Sequence, residues 1–145
     1  MKRPPMKRLA FAAITLALIA GPLVVLAAGE RTALIAGYAT QAKTSDPSFA
    51  GFSAARGETL FRTAFAGGDP RTPSCTSCHT ADPRALGRNA KTGRPIDPMA
   101  VSVSPQRFLD AAELDKHFVR DCKSVMGRNC TPLERGDFVT FMSGR

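Results

Sequence analysis

The stretch Cys75-Thr76-Ser77-Cys78-His79 decides how this chain folds, because it has the C-x-x-C-H spacing of covalent c-type haem attachment. Two thiols three positions apart reach the two vinyl groups on one edge of a porphyrin, and the imidazole that follows them binds the iron. We therefore predict that Cys75 and Cys78 form thioethers and that His79 is the proximal iron ligand. The motif occurs once, which predicts one covalently bound haem c.

The first 28 residues have the organisation of a secretory signal peptide. A positive start without acidic residues is formed by Lys2, Arg3, Lys7 and Arg8. An apolar run follows from Leu9 to Ala28, and we predict cleavage near Ala27 or Ala28 and export to the periplasm. The alternative is an uncleaved membrane anchor, since about 20 apolar residues can span a bilayer. Gly21-Pro22 argues against that anchor, because it would break a spanning helix.

The composition is that of a soluble globular protein, with 43% hydrophobic and 22% charged residues. It excludes a multi-span membrane protein and a coiled coil. The 20 basic and 12 acidic residues give a net charge of +8, and cleavage would remove four basic residues and leave +4. Export also disfavours free thiolates, which argues against a zinc site formed by Cys75 and Cys78 together with the later pair, Cys122 and Cys130. A thioredoxin-like C-x-x-C needs a βαβ pattern, which the sequence lacks.

After the signal peptide, the pattern predicts an N-terminal helix and linker over residues 29–52 and a haem domain over residues 53–145. The haem domain is predicted to be all-α, with four to five helices around the haem. Helix starts are indicated by three N-cap residues, Ser53, Asp110 and Thr131. We expect the helix from Ser53 to pack against the terminal helix, with Gly57 and Phe61 meeting Phe138 or Phe141.

Residues 66–107 are rich in proline and glycine and show little periodicity. A stretch this long without regular structure is uncommon in a compact domain unless it is functional. We expect the haem to order it, with a short helix resuming at Ser104-Pro105.

Two further cysteines, Cys122 and Cys130, lie eight positions apart. In an oxidising compartment we expect them to form a disulfide, which stabilises the fold by about 2.5 kcal/mol in the chain-entropy model. The alternative is two free buried thiols.

The sixth iron ligand has five candidates, which are Met99, His117, Asp121, Met126 and Met142. A methionine would raise the reduction potential, whereas an oxygen ligand, water or an open position would leave the iron accessible to small molecules. On a helical wheel Asp121 shares the apolar face with Leu114 and Phe118. A carboxylate there is costly unless it is paired or binds a metal, and pairing with a neighbouring arginine is the alternative.

The sequence resembles class I cytochromes c and, within them, the SHP (sphaeroides haem protein) type of oxygen- and nitric-oxide-binding cytochrome. The resemblance rests on several stretches: Gly57 to Phe61, Cys75 to Arg84, Lys91 to Ile96, Pro98 to Ala100, Arg107-Phe108, and the segment from Cys122 to Cys130.

This family uses an asparagine as a weak sixth ligand, placed just before the first late cysteine and displaced when a gas binds. In this chain the position reads Arg120-Asp121-Cys122, so an aspartate stands there. The resemblance and the helical wheel both point to Asp121 as the distal group. A carboxylate near the iron would favour the ferric state and lower the reduction potential.

Six basic residues cluster in or near the haem-binding stretch: Arg71, Arg84, Arg88, Lys91, Arg94 and Arg107. Such a patch can steer an acidic partner by long-range attraction. We expect a redox partner protein, such as another cytochrome with an acidic docking surface. The alternative is a solvated surface with some arginines paired to haem propionates. Export and the lack of a reading element argue against nucleic acid.

Together these observations predict a periplasmic monohaem cytochrome that carries one electron and whose weakly ligated distal side binds a small ligand such as oxygen or nitric oxide. We expect it not to be an enzyme, and no membrane span to remain after processing. The alternative function is an enzyme-like reaction or sensing of a diatomic gas at an open haem iron.

Overall fold

The computed structural model describes residues 22–145, with side chains from residue 26 onward. Its helices are α1 (Pro22–Ser45), α2 (Ala54–Arg62), α3 (Thr76–His79), α4 (Ala111–Met126) and α5 (Pro132–Ser143), and its strands are β1 (Gly87–Arg88) and β2 (Pro95–Ile96). The predicted signal peptide lies outside the described residues up to residue 21. None of the helices in the described part is long and apolar enough to cross a membrane.

Helices α2 and α5 cross closely and form the centre of the core, as predicted. A β-carbon on Gly57 would overlap the backbone carbonyl of Asp137 and lie 2.8 Å from Cβ of Phe141. The Phe61 ring packs 5.8 Å from the Phe141 ring and 6.3 Å from the Phe138 ring, centroid to centroid. Glycine at position 57 is therefore what permits the close crossing.

Helix α1 begins before residue 29, where the predicted N-terminal helix and linker start, and it lies against α5. Among the described side chains, its buried residues are Ala27, Arg31, Leu34, Tyr38 and Ala42. The buried Arg31 guanidinium donates hydrogen bonds to the carbonyl oxygens of Pro105 (2.7 Å) and Arg107 (2.9 Å). Helix α1 thus holds the loop that precedes α4. The predicted cleavage position falls inside α1, so the helix from Arg31 onward would remain in the mature chain.

The predicted helix starts at Ser53, Asp110 and Thr131 are confirmed. Each side chain accepts a hydrogen bond from the backbone three residues later, and Thr131 and Glu134 form a complete capping box. Helix α4 ends at Gly127, whose φ of +72° suits glycine. Cys122 and Cys130 form a disulfide that joins α4 to the start of α5, with the Cα atoms 5.6 Å apart.

The segment between α2 and α4 is mostly irregular, as expected, but two details differ. Residues 105–108 form turns rather than the short helix predicted to start at Ser104-Pro105, and Phe108 has a φ of +62°. Residues 84–96 form a hairpin, which we call the basic hairpin, in which β1 pairs antiparallel with β2. These strands could not be predicted from the sequence, because each is only two residues long, which is too short for an alternating pattern.

Candidate haem site

A cavity of about 890 Å³ lies between the motif at α3, the loop that precedes α4, and α4 itself. This volume is in the range of protein sites for large organic ligands. Many of its lining side chains are apolar, among them Leu60, Phe65, Met99, Phe108 and Phe138. The cavity also receives all three predicted attachment and ligand residues, Cys75, Cys78 and His79.

The motif occupies a single helical turn, which brings its three reactive side chains to one wall of the cavity. The backbone amide of His79 donates to the carbonyl of Cys75 at 3.1 Å, and Ser74 and Ser77 tie the start of the turn together. Thr80, with a φ of +60°, ends the helix directly after His79. Cys75 and Cys78 are both free thiols and half-buried.

The basic hairpin packs directly against this turn. The amide of Ala90 donates to Sγ of Cys78 at 3.4 Å. A β-carbon on Gly87 would lie 2.5 Å from the Cys78 carbonyl oxygen and 3.2 Å from Cα of His79. The hairpin therefore supports the motif from beside the cavity, which its residues Asn89, Lys91 and Ile96 help to line, and glycine at position 87 permits the contact with the motif.

Burial favours the uncharged forms of Cys75 and His79. It raises the pKa of the Cys75 thiol to about 11, with a further contribution from the negative charge of Asp121. Burial also lowers the pKa of His79; Asp121 opposes this effect, and Arg107 and His117 add to it. A neutral imidazole is the form that binds a metal ion. Asp121 lines the same cavity as Cys75 and His79.

The wall formed by α4 carries a chain of polar contacts. Asp121 accepts a hydrogen bond from Nε of Arg120 at 2.7 Å, and Nη2 of Arg120 contacts Nδ1 of His117 at 2.6 Å. Nε2 of His117 lies 3.4 Å from Oε1 of Glu113. All four side chains line the cavity. The structure therefore places Asp121 at the cavity and pairs it with Arg120, which combines both of the sequence-based interpretations of this residue.

The other ligand candidates divide into two groups. Met99, His117 and Met126 line the cavity, whereas Met142 is fully buried in the core and does not. Met99 is held by its backbone amide, which donates to the Pro83 carbonyl at 2.8 Å. The identity of the sixth ligand stays a prediction.

Two positioning residues were missed from the sequence. Arg31 anchors the loop that carries Arg107 and Phe108, and its spacing from Leu34 and Tyr38 on one helical face was a usable signal. Asp137 accepts hydrogen bonds from the Ser53 amide (2.6 Å) and the Arg56 guanidinium (2.7 Å) and so fixes the start of α2. No local pattern marks Asp137, because its partners are more than 80 positions away.

The residues present fit a covalently bound haem. The cavity is largely apolar, and one of its walls carries two thiols that remain unpaired, while Cys122 and Cys130 are bonded to each other. The same wall carries the half-buried His79, whose pKa is lowered by burial. The zinc interpretation fits poorly, since residues 22–145 contain no group of three or more histidine, cysteine or acidic side chains arranged to hold a metal ion.

The chain is similar to known cytochromes. A family model described as a domain of unknown function, DUF1924, matches residues 47–142. The chain is 41% identical over 131 residues to the cytochrome c-type protein SHP of Cereibacter sphaeroides, which covers 89% of this chain and 94% of that protein. It is 29% identical over 109 residues to cytochrome c'' of Methylophilus methylotrophus, which covers 75% of this chain and 76% of that protein.

Two solved structures have the same fold. Oxidised SHP, described as an oxygen-binding cytochrome c, matches with a TM-score of 0.72 and 42% identity over 79% of this chain and 96% of that one. Oxidised cytochrome c'' from Methylophilus methylotrophus matches with a TM-score of 0.69 and 28% identity over 79% of this chain and 93% of that one. These matches confirm the predicted all-α fold.

Proposed function

We propose, from the premise that the chain belongs to the DUF1924 family and to the SHP type of class I cytochrome c, that it is a periplasmic one-electron carrier whose haem iron also binds a diatomic gas. Its cofactor is one covalently bound haem c, as predicted. The observation that carries the proposal is the cavity with Cys75, Cys78 and His79 on one wall and Asp121 on another.

Each motif residue has a defined task at this site. Cys75 and Cys78 would hold the haem through two thioether bonds, and His79 would be the proximal ligand. The haem supplies one-electron redox chemistry and an iron coordination site. Burial lowers the pKa of His79, which favours the neutral imidazole that binds a metal ion.

The α4 wall carries the residue that would compete with a small ligand for the iron of a bound haem. Asp121 is the proposed distal group. Its carboxylate already forms an ion pair with Arg120, so it has a partner other than the metal. A distal group that already has a partner competes weakly for the iron, which favours entry of a small ligand. The oxygen binding described for SHP supports this part of the proposal.

The cellular role rests on the sequence. The positive start and apolar run of residues 1–28 support export, and a cleaved signal peptide supports the periplasm rather than a membrane anchor. The named relatives are cytochromes rather than enzymes, which agrees with the prediction that the chain is not an enzyme. The proposed partner is a redox protein with an acidic docking surface.

The deciding measurement is the absorption spectrum of ferric and ferrous protein with and without carbon monoxide, together with a voltammogram. We expect a reversible one-electron wave and rapid uptake of carbon monoxide by the ferrous protein. A low-spin ferrous haem that does not bind carbon monoxide would be consistent with the carrier function and would contradict gas binding. Rapid turnover of oxygen or nitric oxide would instead favour the enzyme-like alternative.

The role of Asp121 is tested by Asp121→Ala, which we expect to change the ferric spin state or the affinity for azide. Asp97→Ala is the matched control, because Asp97 is an exposed carboxylate that does not line the cavity. Unchanged spectra in Asp121→Ala would exclude Asp121 as the distal group and make Met99→Ala the next variant.

A further inference from the structure

The basic hairpin has an unusual distribution of charge. Residues 84–96 contain four basic residues, Arg84, Arg88, Lys91 and Arg94, and no acidic residue. All four side chains are exposed. The hairpin is built to be rigid, since its strands pair and the Asn89 side chain accepts hydrogen bonds from the amides of Lys91 and Thr92, both at 2.9 Å.

The four cations differ in how far an acidic side chain already compensates them. Arg84 pairs with Asp82 at 3.1 Å, and Lys91 pairs with Asp69 at 3.1 Å. Arg88 donates only to the Gly93 carbonyl oxygen (2.6 Å) among the hydrogen bonds of the described residues, and neither Arg88 nor Arg94 has an acidic partner there. The positive potential of the hairpin therefore comes mainly from Arg88 and Arg94.

The same two arginines are separate from the haem site itself. Lys91 and Arg107 line the cavity, where they are placed to meet charged groups of a bound haem, but Arg88 and Arg94 do not line it. Their charges thus face outward. Beside them Leu86 is 60% exposed, which gives the hairpin an apolar contact next to its cations.

The position of the hairpin suits electron transfer. It contacts Sγ of Cys78 through the Ala90 amide and packs on the carbonyl of the same residue through Gly87. A partner that docked on the hairpin would therefore be separated from the haem-bearing thiol by one layer of backbone. An apolar contact ringed by charge is also the usual composition of a transient docking surface.

We infer that the basic hairpin is the docking surface for an acidic electron-transfer protein, with Arg88 and Arg94 providing the attraction and Leu86 the apolar contact. The inference rests on the proposed carrier function, since it names the surface through which that function operates. Oppositely charged surfaces steer encounter and fix orientation, and they do so less as salt screens them.

The test measures binding without electron transfer. Oxidised flavodoxin, an acidic redox protein, is titrated into the ferric holoprotein at low ionic strength by calorimetry. We expect Arg88→Gln/Arg94→Gln to raise the dissociation constant about tenfold, because the double substitution removes two positive charges from the contact. The loss should shrink as salt is added.

Two variants serve as matched controls. Lys43→Gln/Lys116→Gln removes the same number of charges from exposed positions on α1 and α4, outside the hairpin. Arg88→Lys/Arg94→Lys keeps the charge and alters the hydrogen bond to Gly93. We expect both to bind flavodoxin within about twofold of the unmodified protein.

The inference is overturned if the unmodified protein does not bind flavodoxin, if the glutamine pair at 88 and 94 has no effect, or if the pair at 43 and 116 weakens binding as much. Stopped-flow reduction by the reduced flavodoxin, in which one electron passes from the flavin to the ferric iron, separates this result from the proposed function. Reduction at the same rate in all variants would support the carrier function and contradict docking on the basic hairpin. The expected binding pattern without any reduction would keep the surface and reject the carrier function.

Discussion

Asp137 of α5 and Arg56 of α2 form a two-point ion pair in which the carboxylate is almost completely buried. Nε and Nη2 of Arg56 lie 2.7 and 2.9 Å from the two carboxylate oxygens, and only 5% of the Asp137 side chain is exposed, against 51% for Arg56. The same carboxylate accepts a hydrogen bond from the Ser53 amide. Asp137 thus joins the start of α2 to the centre of α5.

Replacing this carboxylate should destabilise the protein. We expect Asp137→Asn to lower the free energy of unfolding by about 1–3 kcal/mol. This is less than the roughly 3–5 kcal/mol for breaking a fully buried pair, because Arg56 is half-exposed. Urea unfolding measures the change. Glu58→Gln is the control, since Glu58 forms exposed ion pairs with Arg62 and Arg145, and its loss should stay within about 1 kcal/mol. Equal effects would contradict the structural role of Asp137.

Gly57→Ala should disrupt the crossing of α2 and α5. A methyl group there overlaps the Asp137 backbone, and relief of such overpacking typically costs about 1–3 kcal/mol. Thermal unfolding reports the loss. Gly37→Ala provides the contrast, because a β-carbon at position 37 in α1 meets nothing within 4 Å. That variant should be stabilised by about 0.5–1 kcal/mol. A stable Gly57→Ala protein would show that the helices do not cross as closely as described.

The acid stability of the fold should depend on Glu134. Its pKa lies below the ordinary value of 4.5, chiefly because Arg128 donates to the carboxylate, with the Thr131 amide adding to the effect. A depressed folded-state pKa stabilises the fold fully above the unfolded value and loses that contribution as the pH falls through the folded value. We expect the stability to drop below about pH 4.5, as measured by urea unfolding from pH 6 to pH 3.

Glu134→Gln isolates this contribution, because the amide oxygen can still accept the Thr131 hydrogen bond of the capping box. The variant should show a shallower loss of stability with acid, and Arg128→Ala should show the same. An unchanged slope in both variants would assign the acid sensitivity to other carboxylates.

Covalent attachment of the haem should depend on one cysteine pair and not on the other. We expect acidified organic solvent to extract the haem from Cys75→Ala/Cys78→Ala, because no thioether remains. Cys122→Ala/Cys130→Ala should keep its colour under the same treatment and lose about 2.5 kcal/mol of stability with the disulfide. Retention of haem by the first variant would disprove attachment through the motif.

Local sequence was sufficient to predict much of the fold and the part of the site formed by Cys75, Cys78 and His79. The haem motif and the N-caps depend on neighbouring residues, so they can be recognised without knowing any distant contact. The same holds for the face of α1 that carries Leu34 and Tyr38. The crossing at Gly57 was predictable because a small residue within an apolar helix face permits close packing.

Tertiary structure decided what depends on residues far apart in the chain. The burial of Asp137 and of Arg31 requires partners more than 70 positions away. The packing of the short hairpin against the Cys78 turn is likewise a contact that only the folded chain shows. Sequence alone placed Asp121 on the apolar face of α4, but the structure decided that it lies at the cavity and pairs with Arg120. The physical reason is that hydrogen bonding and burial are settled by the surroundings in space, which spacing along a chain does not specify.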